Sequence, residues 1–226
     1  MKVIEKFIKL YNASQPIQDI SCNTKDYKIF KENPDIRFCN SLENIRFVPT
    51  GSDSLIQSLQ GFMSDNPYFW MIPLHTASQK IFGFVLKSYT SKQYRNVYAS
   101  DHISCFYGWK DFHDFKKDYP IILCEGVKDC IVLKRTYPYS LACLTSGLSG
   151  VDDFDIIKKL TNKVILCYDN DSTGKFSTER DFQKLLKLGC KVNKVFYNAK
   201  DPGDLFNNQV GLGILKNSIR NIFKGY

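Results

Sequence analysis

The second half of the chain alternates regularly between apolar and amphipathic stretches. Apolar runs typical of parallel strands covered on both faces predict strands at 121–126, 140–144 and 164–168, and a fourth strand is predicted at 191–197. Residues with helical spacing fill the intervals between them, at 127–135, 152–160 and 176–188. This order predicts an α/β fold with a parallel sheet flanked by helices. Helical segments near 205 and over 212–223 would close the chain.

The first half has a less regular pattern that predicts a smaller mixed α/β subdomain. Helical and strand spacing marks candidate helices at 1–11 and 52–59 and candidate strands at 68–74, 81–87 and 95–99. The polar turn at 75–80 joins two of these strands into a predicted hairpin. Ser52 or Asp53 is the expected cap of the second helix, and the rest of 12–67 shows little pattern.

Acidic residues follow two of the predicted parallel strands. Glu125 ends the first of these strands, and Asp169 and Asp171 follow the third. Right-handed crossovers place the carboxyl ends of all the strands at one edge of the sheet, where open α/β sheets bind ligands. The helix after Glu125 and the segment after the last strand bring more acids to this edge. The predicted cluster comprises Glu125, Asp129, Asp169, Asp171, Asp201 and Asp204.

Neighbouring carboxylates repel one another unless cations neutralise them. Carboxylate oxygens are hard ligands that suit Mg²⁺ or Mn²⁺, and such a site is suited to metal-dependent phosphoryl transfer. Glu125 is a candidate metal ligand or general acid and base. Gly126 and Gly147 lie at the same edge, where the lack of a side chain would let backbone or a phosphate approach closely.

Simpler interpretations of these residues stay open from the sequence alone. An aspartate at a strand end is often only a helix cap, and an acid at the position of Glu125 also favours a helix dipole. Ser172 or Thr173 would cap the third helix. A calcium-binding EF-hand is excluded, because Arg180 stands where its bidentate Glu is required and a strand precedes the loop.

Composition narrows the class of protein. The chain has 226 residues, a net charge of +8 and 43% hydrophobic residues, enough for one large or two small domains with a proper core. The basic excess is compatible with nucleic-acid or nucleotide partners. The 8 cysteines form no C-x-x-C pair and no zinc spacing with histidine, so we expect reduced cysteines of a cytosolic protein and no zinc. No signal peptide or membrane span is visible in the sequence.

Three motifs resemble the Toprim domain of DnaG-type primases. The sequence EGVKD at 125–129 resembles E-G-x-x-D. The sequence YDNDSTGK at 168–175 resembles D-x-D-x-A-G-[RK], with Thr173 in place of the usual alanine. The sequence KDPGDL at 200–205 resembles K-D-P-x-[DE]-L, which is the most discriminating of the three. The resemblance covers roughly residues 119–206 and implies a Rossmann-like parallel sheet.

The resemblance also implies a set of site residues. The expected metal ligands are Glu125, Asp169 and Asp171, with Asp129, Asp201 and Asp204 supporting or extending the site. A looser similarity continues upstream, where Lys87 matches a basic position that helps to hold template or nucleotide. The residues expected to bind nucleic acid or nucleotide are then Lys87, Lys92, Arg95, Lys175 and Lys200. Without the resemblance, the basic residues of the hairpin fit an ordinary solvated face.

By this resemblance the chain is expected to be a primase catalytic core of bacterial or phage type, making short RNA primers on single-stranded DNA from ribonucleoside triphosphates. It would act in the cytoplasm, with no membrane partner. The expected domains are 1–117, 118–206 and 207–226. No zinc ribbon or helicase region is visible, so a replicative helicase or a separate zinc-binding protein is an expected partner. The alternatives are a Toprim nuclease or RNA maturase, or a non-catalytic nucleic-acid-binding replication protein.

Overall fold

A computed structural model describes residues 3–17, 24–44, 46, 54–76, 78–98, 106–145, 147–148 and 151–225, without the side chains of 25, 151 and 152. The chain divides into two compact units, Met1–His102 and Ile103–Tyr226. Each unit is built around its own sheet. No helix in the described ranges is long and apolar enough to cross a membrane.

In the part of the first unit that the structure describes, a five-stranded antiparallel sheet is accompanied by three α-helices. Its helices are α1 (Val3–Ala13), α2 (Lys25–Phe30) and α3 (Ser54–Asp65). Its strands are β1 (Gln15–Pro16), β2 (Arg37–Asn40), β3 (Tyr68–His75), β4 (Ile81–Ser88) and β5 (Tyr94–Tyr98). They lie in the sheet in chain order, each antiparallel to the next. The central strands β3 and β4 are buried along most of their length, as their apolar runs predict.

Both faces of this sheet are covered. Side chains of α1 and α3 pack on one face, where the ring of Phe7 lies 6.4 Å from that of Phe84. On the other face, Trp70 packs against Phe38 at 5.0 Å and against Phe30 of α2 at 6.1 Å. The strands therefore separate two apolar layers, which fixes which side chains project to each side.

The structure confirms the opening helix and the hairpin of this unit and extends the second helix to Asp65. The candidate caps Ser52 and Asp53 lie outside the described residues. The sequence interpretation missed α2, β1 and β2. These elements are short, and β2 is held by pairing with β3, for example Cys39 with Phe69, rather than by its own pattern.

The second unit is a four-stranded parallel sheet covered by helices. Its strands are β6 (Ile121–Cys124), β7 (Ser140–Ala142), β8 (Lys163–Leu166) and β9 (Lys191–Lys194). Its α-helices are α4 (Val127–Lys134), α5 (Val151–Leu160), α6 (Ser172–Lys187) and α7 (Gln209–Lys224). Short 3-10 helices occupy Trp109–Phe112 and Pro202–Leu205. The strand order is β7-β6-β8-β9, which confirms the predicted parallel α/β sheet.

The strands of this sheet end earlier than their apolar runs suggested. β8 ends at Leu166 rather than at Tyr168, and β9 ends at Lys194 rather than at Tyr197. The backbone remains extended for one more hydrogen bond, from Cys167 N–H to Leu123 O at 2.8 Å. Cys167 and Tyr168, which the apolar run assigned to the strand, are thus buried residues of the connection that leads into the acidic edge, whereas Phe196 beyond β9 is exposed.

Helix α6 begins before its predicted start at 176. Its N-cap is Asp171, whose Oδ1 accepts the N–H of Gly174 at 3.0 Å. The prediction that Ser172 or Thr173 caps this helix is therefore wrong. An ionised aspartate accepts from the orphan N–H groups of the first turn at least as well as a hydroxyl does, and it also favours the helix dipole.

Candidate metal centre

Glu125 and Asp169 meet at the carboxyl edge of the parallel sheet. They follow the neighbouring strands β6 and β8, which pair in parallel with Leu123 opposite Leu166. The backbone N–H of Asp169 donates to Oε1 of Glu125 at 3.4 Å. Parallel pairing therefore brings together two carboxylates that are 44 residues apart in the chain.

This edge of the sheet is unfavourable for negative charge. Burial raises the pKa of Glu125 to about 7, and the charges of Asp169 and Asp171 add to the shift. Burial also raises the pKa of Asp169 to about 6, followed by repulsion from Asp201 and Asp171, while Lys200 lowers it. The carboxylates of Glu125, Asp169, Asp171 and Asp201 are therefore close enough at this edge to shift one another's pKa values or those of their neighbours.

One carboxylate oxygen at this edge is buried without a hydrogen-bond donor among the described residues. Oδ1 of Asp169 is buried, and no described residue gives it a hydrogen bond. Such a group costs free energy unless a partner is supplied, and a cation is a partner for a carboxylate oxygen. The hard oxygen donors around it fit Mg²⁺ or Mn²⁺. In the described ranges, however, no three acidic, histidine or cysteine side chains already form a closed metal-binding group.

Asp171 has two roles in this geometry. Its Oδ1 caps α6, and its Oδ2 lies 4.0 Å from Nζ of Lys200. The simpler interpretation of Asp171 as a helix cap is thus correct for one of its oxygens. The second oxygen lies beside a partly solvated lysine, so the cap does not prevent this carboxylate from reaching a cation.

Asp129 joins two segments of the site. Its side chain is buried, Oδ2 accepts the N–H of Gly126 at 3.1 Å, and Oδ1 accepts the N–H of Gly203 at 2.8 Å. Burial, then repulsion from Asp201, raises the pKa of Asp129 to about 7. Both of its oxygens are engaged by backbone donors, so this residue supports the site by docking the 200–205 segment onto α4.

The 200–205 segment is also tied to the turn after β8. Asn170 donates its backbone N–H to Lys200 O at 2.7 Å and its side-chain amide to Ala199 O at 2.7 Å. Asp201 caps the 3-10 helix through the N–H of Asp204 at 2.8 Å. Asp204 itself is exposed. The three motifs that are separate in the sequence therefore form one connected edge, with Asp204 on its outside.

The glycines of the edge are crowded by the protein itself. A Cβ on Gly126 would lie 2.8 Å from Oδ2 of Asp129. Gly147 has a φ of +83°, and a Cβ there would lie 2.5 Å from Oδ2 of Asp181. The close approach of backbone or a phosphate to these glycines stays a prediction, and the nearest groups in the structure are carboxylates of the same chain. Ser146, beside Gly147, lies outside the described residues.

The predicted basic residues fall into separate groups. Lys175 and Lys200 are exposed in the second unit, and Lys200 lies beside the acidic cluster. In the first unit, Lys87 pairs across the strands with Tyr94, whereas Arg95 pairs with Leu86. Successive strand residues point to opposite faces, so Lys87 and Arg95 project from opposite faces of the sheet. These two residues therefore do not form one basic surface.

Lys87 is held in place by local partners. Its Nζ donates to the backbone oxygens of Ser88 and Ser91 and lies 3.9 Å from Oδ2 of Asp26. Lys92 is an exposed residue of the turn between β4 and β5. Nucleic-acid binding by Lys87, Lys92 and Arg95 stays a prediction from the sequence.

Sequence reasoning missed a buried group behind the acids. Asp181 is fully buried in α6 and accepts hydrogen bonds from Tyr168 and Arg180. Its only sequence signal was an acid on the inward-facing stripe of an amphipathic helix, four residues from each of Ser177 and Leu185. That pattern marks an acid that must have buried partners, but it does not identify them.

The raised pKa values predict how the metal-free protein responds to pH. The pKa values of Glu125 and Asp129 rise from their ordinary values of 4.5 and 3.8 to about 7 in the folded state. Between about pH 4 and pH 7 the folded protein therefore binds more protons than the unfolded chain, so stability falls as pH rises through this window. We expect a higher melting temperature at pH 5 than at pH 8 in EDTA.

Thermal melts across this pH range, with and without Mg²⁺, measure the effect. Added Mg²⁺ is expected to reduce the difference, because a bound cation stabilises the ionised carboxylates. A metal-free protein that melts at a higher temperature at pH 8 than at pH 5 would contradict the assigned repulsion.

The part of the chain that carries these acids is similar to known proteins. Residues 122–206 match the family model described as Toprim-like. A DNA primase of Clostridium acetobutylicum is 30% identical over 88 residues, which are 37% of this chain and 14% of that protein. The chain therefore spans only a small part of this curated relative.

Solved structures extend the likeness beyond this region. The DnaG primase catalytic domain bound to single-stranded DNA has a TM-score of 0.67 and 18% identity, covering 96% of this chain and 77% of that one. The zinc-binding and RNA polymerase domains of Aquifex aeolicus primase have a TM-score of 0.71 and 17% identity, covering 96% and 60%.

The acidic edge therefore lies in a region, 122–206, that is similar to the Toprim-like family. More particularly, the chain has the α/β fold of the DnaG primase catalytic core.

Proposed function

We propose that this chain is a DNA primase catalytic core, a nucleotidyltransferase that makes short RNA primers on single-stranded DNA during replication. The observation that carries the proposal is the buried Oδ1 of Asp169, which has no hydrogen-bond donor among the described residues and lies beside Glu125 at the edge of a Toprim-like domain. The likeness to a curated primase and to primase catalytic cores supports the primase branch over other Toprim enzymes.

The cation in this proposal is Mg²⁺ or Mn²⁺. Glu125, Asp169 and Asp171 would hold it, while Asp129 and Asp201 keep their segments in place through backbone hydrogen bonds. When bound, the cation polarises the phosphate and stabilises charge on the attacking and leaving oxygens.

The protein's contribution to the reaction is mainly positioning and charge. The 3′-hydroxyl of the primer attacks the α-phosphate of an incoming ribonucleoside triphosphate, and pyrophosphate leaves. Lys200 lies beside the acids and Lys175 is exposed in the first turn of α6, and the charges of both lysines suit a triphosphate. Glu125, whose pKa lies near neutrality without the metal, sits where it could accept the proton of the attacking hydroxyl.

A primer-synthesis assay tests this function. The protein is incubated with mixed-sequence single-stranded DNA, labelled ribonucleotides and Mg²⁺ or Mn²⁺, with and without a replicative helicase and a zinc-binding primase protein. Short labelled RNA that requires template and metal is the expected product.

Metal-dependent cutting of nucleic acid without RNA synthesis would favour a Toprim nuclease instead. The absence of both products under every condition, with metal binding intact, would contradict catalysis and favour a nucleic-acid-binding role.

A further inference from the structure

A fully buried carboxylate lies behind the candidate metal centre. Asp181, in the middle of α6, has an exposed fraction of 0%. A buried charge is costly unless it is paired and hydrogen-bonded. Three donors meet it: Leu148 N–H at 2.8 Å and Tyr168 OH at 2.9 Å on Oδ2, and Arg180 Nε at 2.7 Å on Oδ1. Because both of its carboxylate oxygens are hydrogen-bonded, Asp181 and its partners are held rigidly in place.

These donors come from different parts of the acidic edge. Tyr168 directly precedes Asp169 after β8, and Leu148 belongs to the loop that follows β7. Arg180 also donates from Nη2 to Leu148 O at 2.9 Å, so the backbone of Leu148 is held at both its N–H and its carbonyl. The side chains of α6 thus join the loop after β7 to the turn after β8.

The backbone of this loop lies directly against the buried network. A Cβ on Gly147 would lie 2.5 Å from Oδ2 of Asp181, 2.9 Å from Nη2 of Arg180 and 2.9 Å from Cε2 of Tyr168. Gly147 also has a φ of +83°, a backbone conformation that residues other than glycine rarely adopt. A glycine is therefore needed for the loop to reach the network.

The same loop holds the backbone of Glu125. Leu144 N–H donates to Glu125 O at 2.9 Å, and Cys143 N–H donates to Cys124 O at 2.8 Å. Within the loop, Thr145 Oγ1 donates to Gly147 O at 2.7 Å. Contacts of Leu144, Thr145, Gly147 and Leu148 therefore connect Glu125 to Asp181.

We propose that Asp181 is a positioning residue that, through Tyr168 and the loop after β7, fixes the separation of the Glu125 and Asp169 carboxylates and so sets the affinity for the divalent cation. The inference rests on the metal-dependent function proposed above. It assigns a role to a residue that does not itself reach the metal.

The physical reason is the narrow geometry that small divalent cations require. Mg²⁺ demands near-ideal octahedral coordination at about 2.0–2.1 Å, so small errors in ligand spacing lower its affinity. Two carboxylates on separate turns keep their spacing only if the turns are braced. The charge of Asp181 also reaches the site, because it contributes to the raised pKa of Glu125, and a negative charge there favours a cation.

Mn²⁺ binding, measured by the electron paramagnetic resonance signal of free Mn²⁺, tests the role directly. Asp181→Asn places an amide group against the guanidinium of Arg180, and Tyr168→Phe removes one donor to Oδ2. Each is expected to raise the dissociation constant for Mn²⁺ by about tenfold, the lower end for residues that orient metal ligands. Saturating Mn²⁺ is expected to restore most primer synthesis.

Glu179→Gln is the matched control. Glu179 is an exposed acid of the same helix that pairs with Lys194 at 2.6 Å, away from the loop after β7. The substitution Glu179→Gln removes one negative charge, as Asp181→Asn does, and should leave the dissociation constant for Mn²⁺ unchanged.

Two results would overturn the role of Asp181. The first is Mn²⁺ affinity equal to the wild type in Tyr168→Phe and Asp181→Asn, even if both proteins melt at lower temperature, because the network would then only stabilise the fold. The second is an equal loss of affinity in Glu179→Gln, which would indicate a general effect of charge.

A wild-type protein that binds Mn²⁺ but makes no RNA would reject the primase function. The comparison of Mn²⁺ affinities between the variants and the wild type would then still decide the role of Asp181. A wild-type protein that binds no Mn²⁺ would reject both.

Discussion

Asp169→Asn is expected to lower primer synthesis by about two orders of magnitude or more while leaving the protein folded. The substitution keeps the shape of the side chain but removes the charge whose buried oxygen lacks a donor among the described residues. Losing one charged ligand removes several kcal/mol of transition-state stabilisation, and about 1.4 kcal/mol corresponds to tenfold in rate. The measurement is the yield of primers at saturating ribonucleotide for the wild type, Asp169→Asn and Glu125→Gln.

The same variant should be more stable than the wild type without metal. Asp169 is repelled by Asp201 and Asp171 and raises the pKa of Glu125, so removing its charge relieves the cluster. The melting temperature of Asp169→Asn in EDTA should therefore rise, whereas its increase on adding Mg²⁺ should be smaller than that of the wild type. Higher stability with lower activity distinguishes a metal ligand from a residue that only supports the fold.

Asp114→Asn provides the chemical control for this pair of measurements. Asp114 is an exposed acid of the same unit, and its Oδ2 lies 2.9 Å from Nε2 of His113. The control should retain wild-type synthesis and a wild-type response to Mg²⁺. Primer synthesis at the wild-type rate by both Asp169→Asn and Glu125→Gln would show that the catalytic acids lie elsewhere.

The parallel sheet and its acidic edge were predictable because their signals are local. A buried parallel strand is a continuous apolar run, and the residues after such a run must lie at the carboxyl edge. Asp169 and Glu125 could therefore be brought together before any contact was known. The strand ends were less accurate, since Cys167 and Tyr168 are as buried in the turn as they would be in a strand.

Features that depend on pairing between distant segments were not predictable. β2 is only four residues long, and its register against β3 defines it. The separation of Lys87 and Arg95 onto opposite faces likewise follows from the β4–β5 register, which the sequence does not state. Asp129 was expected to support or extend the metal site, but its motif does not reveal that its partner is the backbone N–H of Gly203, 74 residues away.

Gly174→Ala is expected to damage both stability and activity, more than any other single methyl group at this edge. Gly174 lies in the first turn of α6, and a Cβ there would overlap the carbonyl oxygen of Asp169 and lie 2.7 Å from its carbonyl carbon. These are backbone atoms, which cannot rotate away as a flexible side chain can. Either α6 or the turn that carries Asp169 must shift.

The size of the effect follows from overpacking. Forcing a methyl group into a filled space costs roughly 1–3 kcal/mol or more, which for a chain of this length lowers the melting temperature by about 2–4 °C per kcal/mol. A shift of Asp169 and of the cap Asp171 also misplaces two candidate ligands, and a misplacement of about 1 Å can cost about 100-fold in rate. Thermal melts and primer synthesis at a temperature where the variant is folded measure the two effects separately.

Gly213→Ala is the control that separates crowding from the general effect of alanine. Gly213 lies within α7, and a Cβ there would meet nothing within 4 Å. Alanine is favoured over glycine in a helix by about 0.8–1 kcal/mol, so this variant should be slightly more stable and fully active. The same substitution should thus have opposite signs at the two positions, because only Gly174 touches the backbone of a metal-site residue. A Gly174→Ala protein as stable and active as Gly213→Ala would mean that α6 does not hold the turn of Asp169 in place.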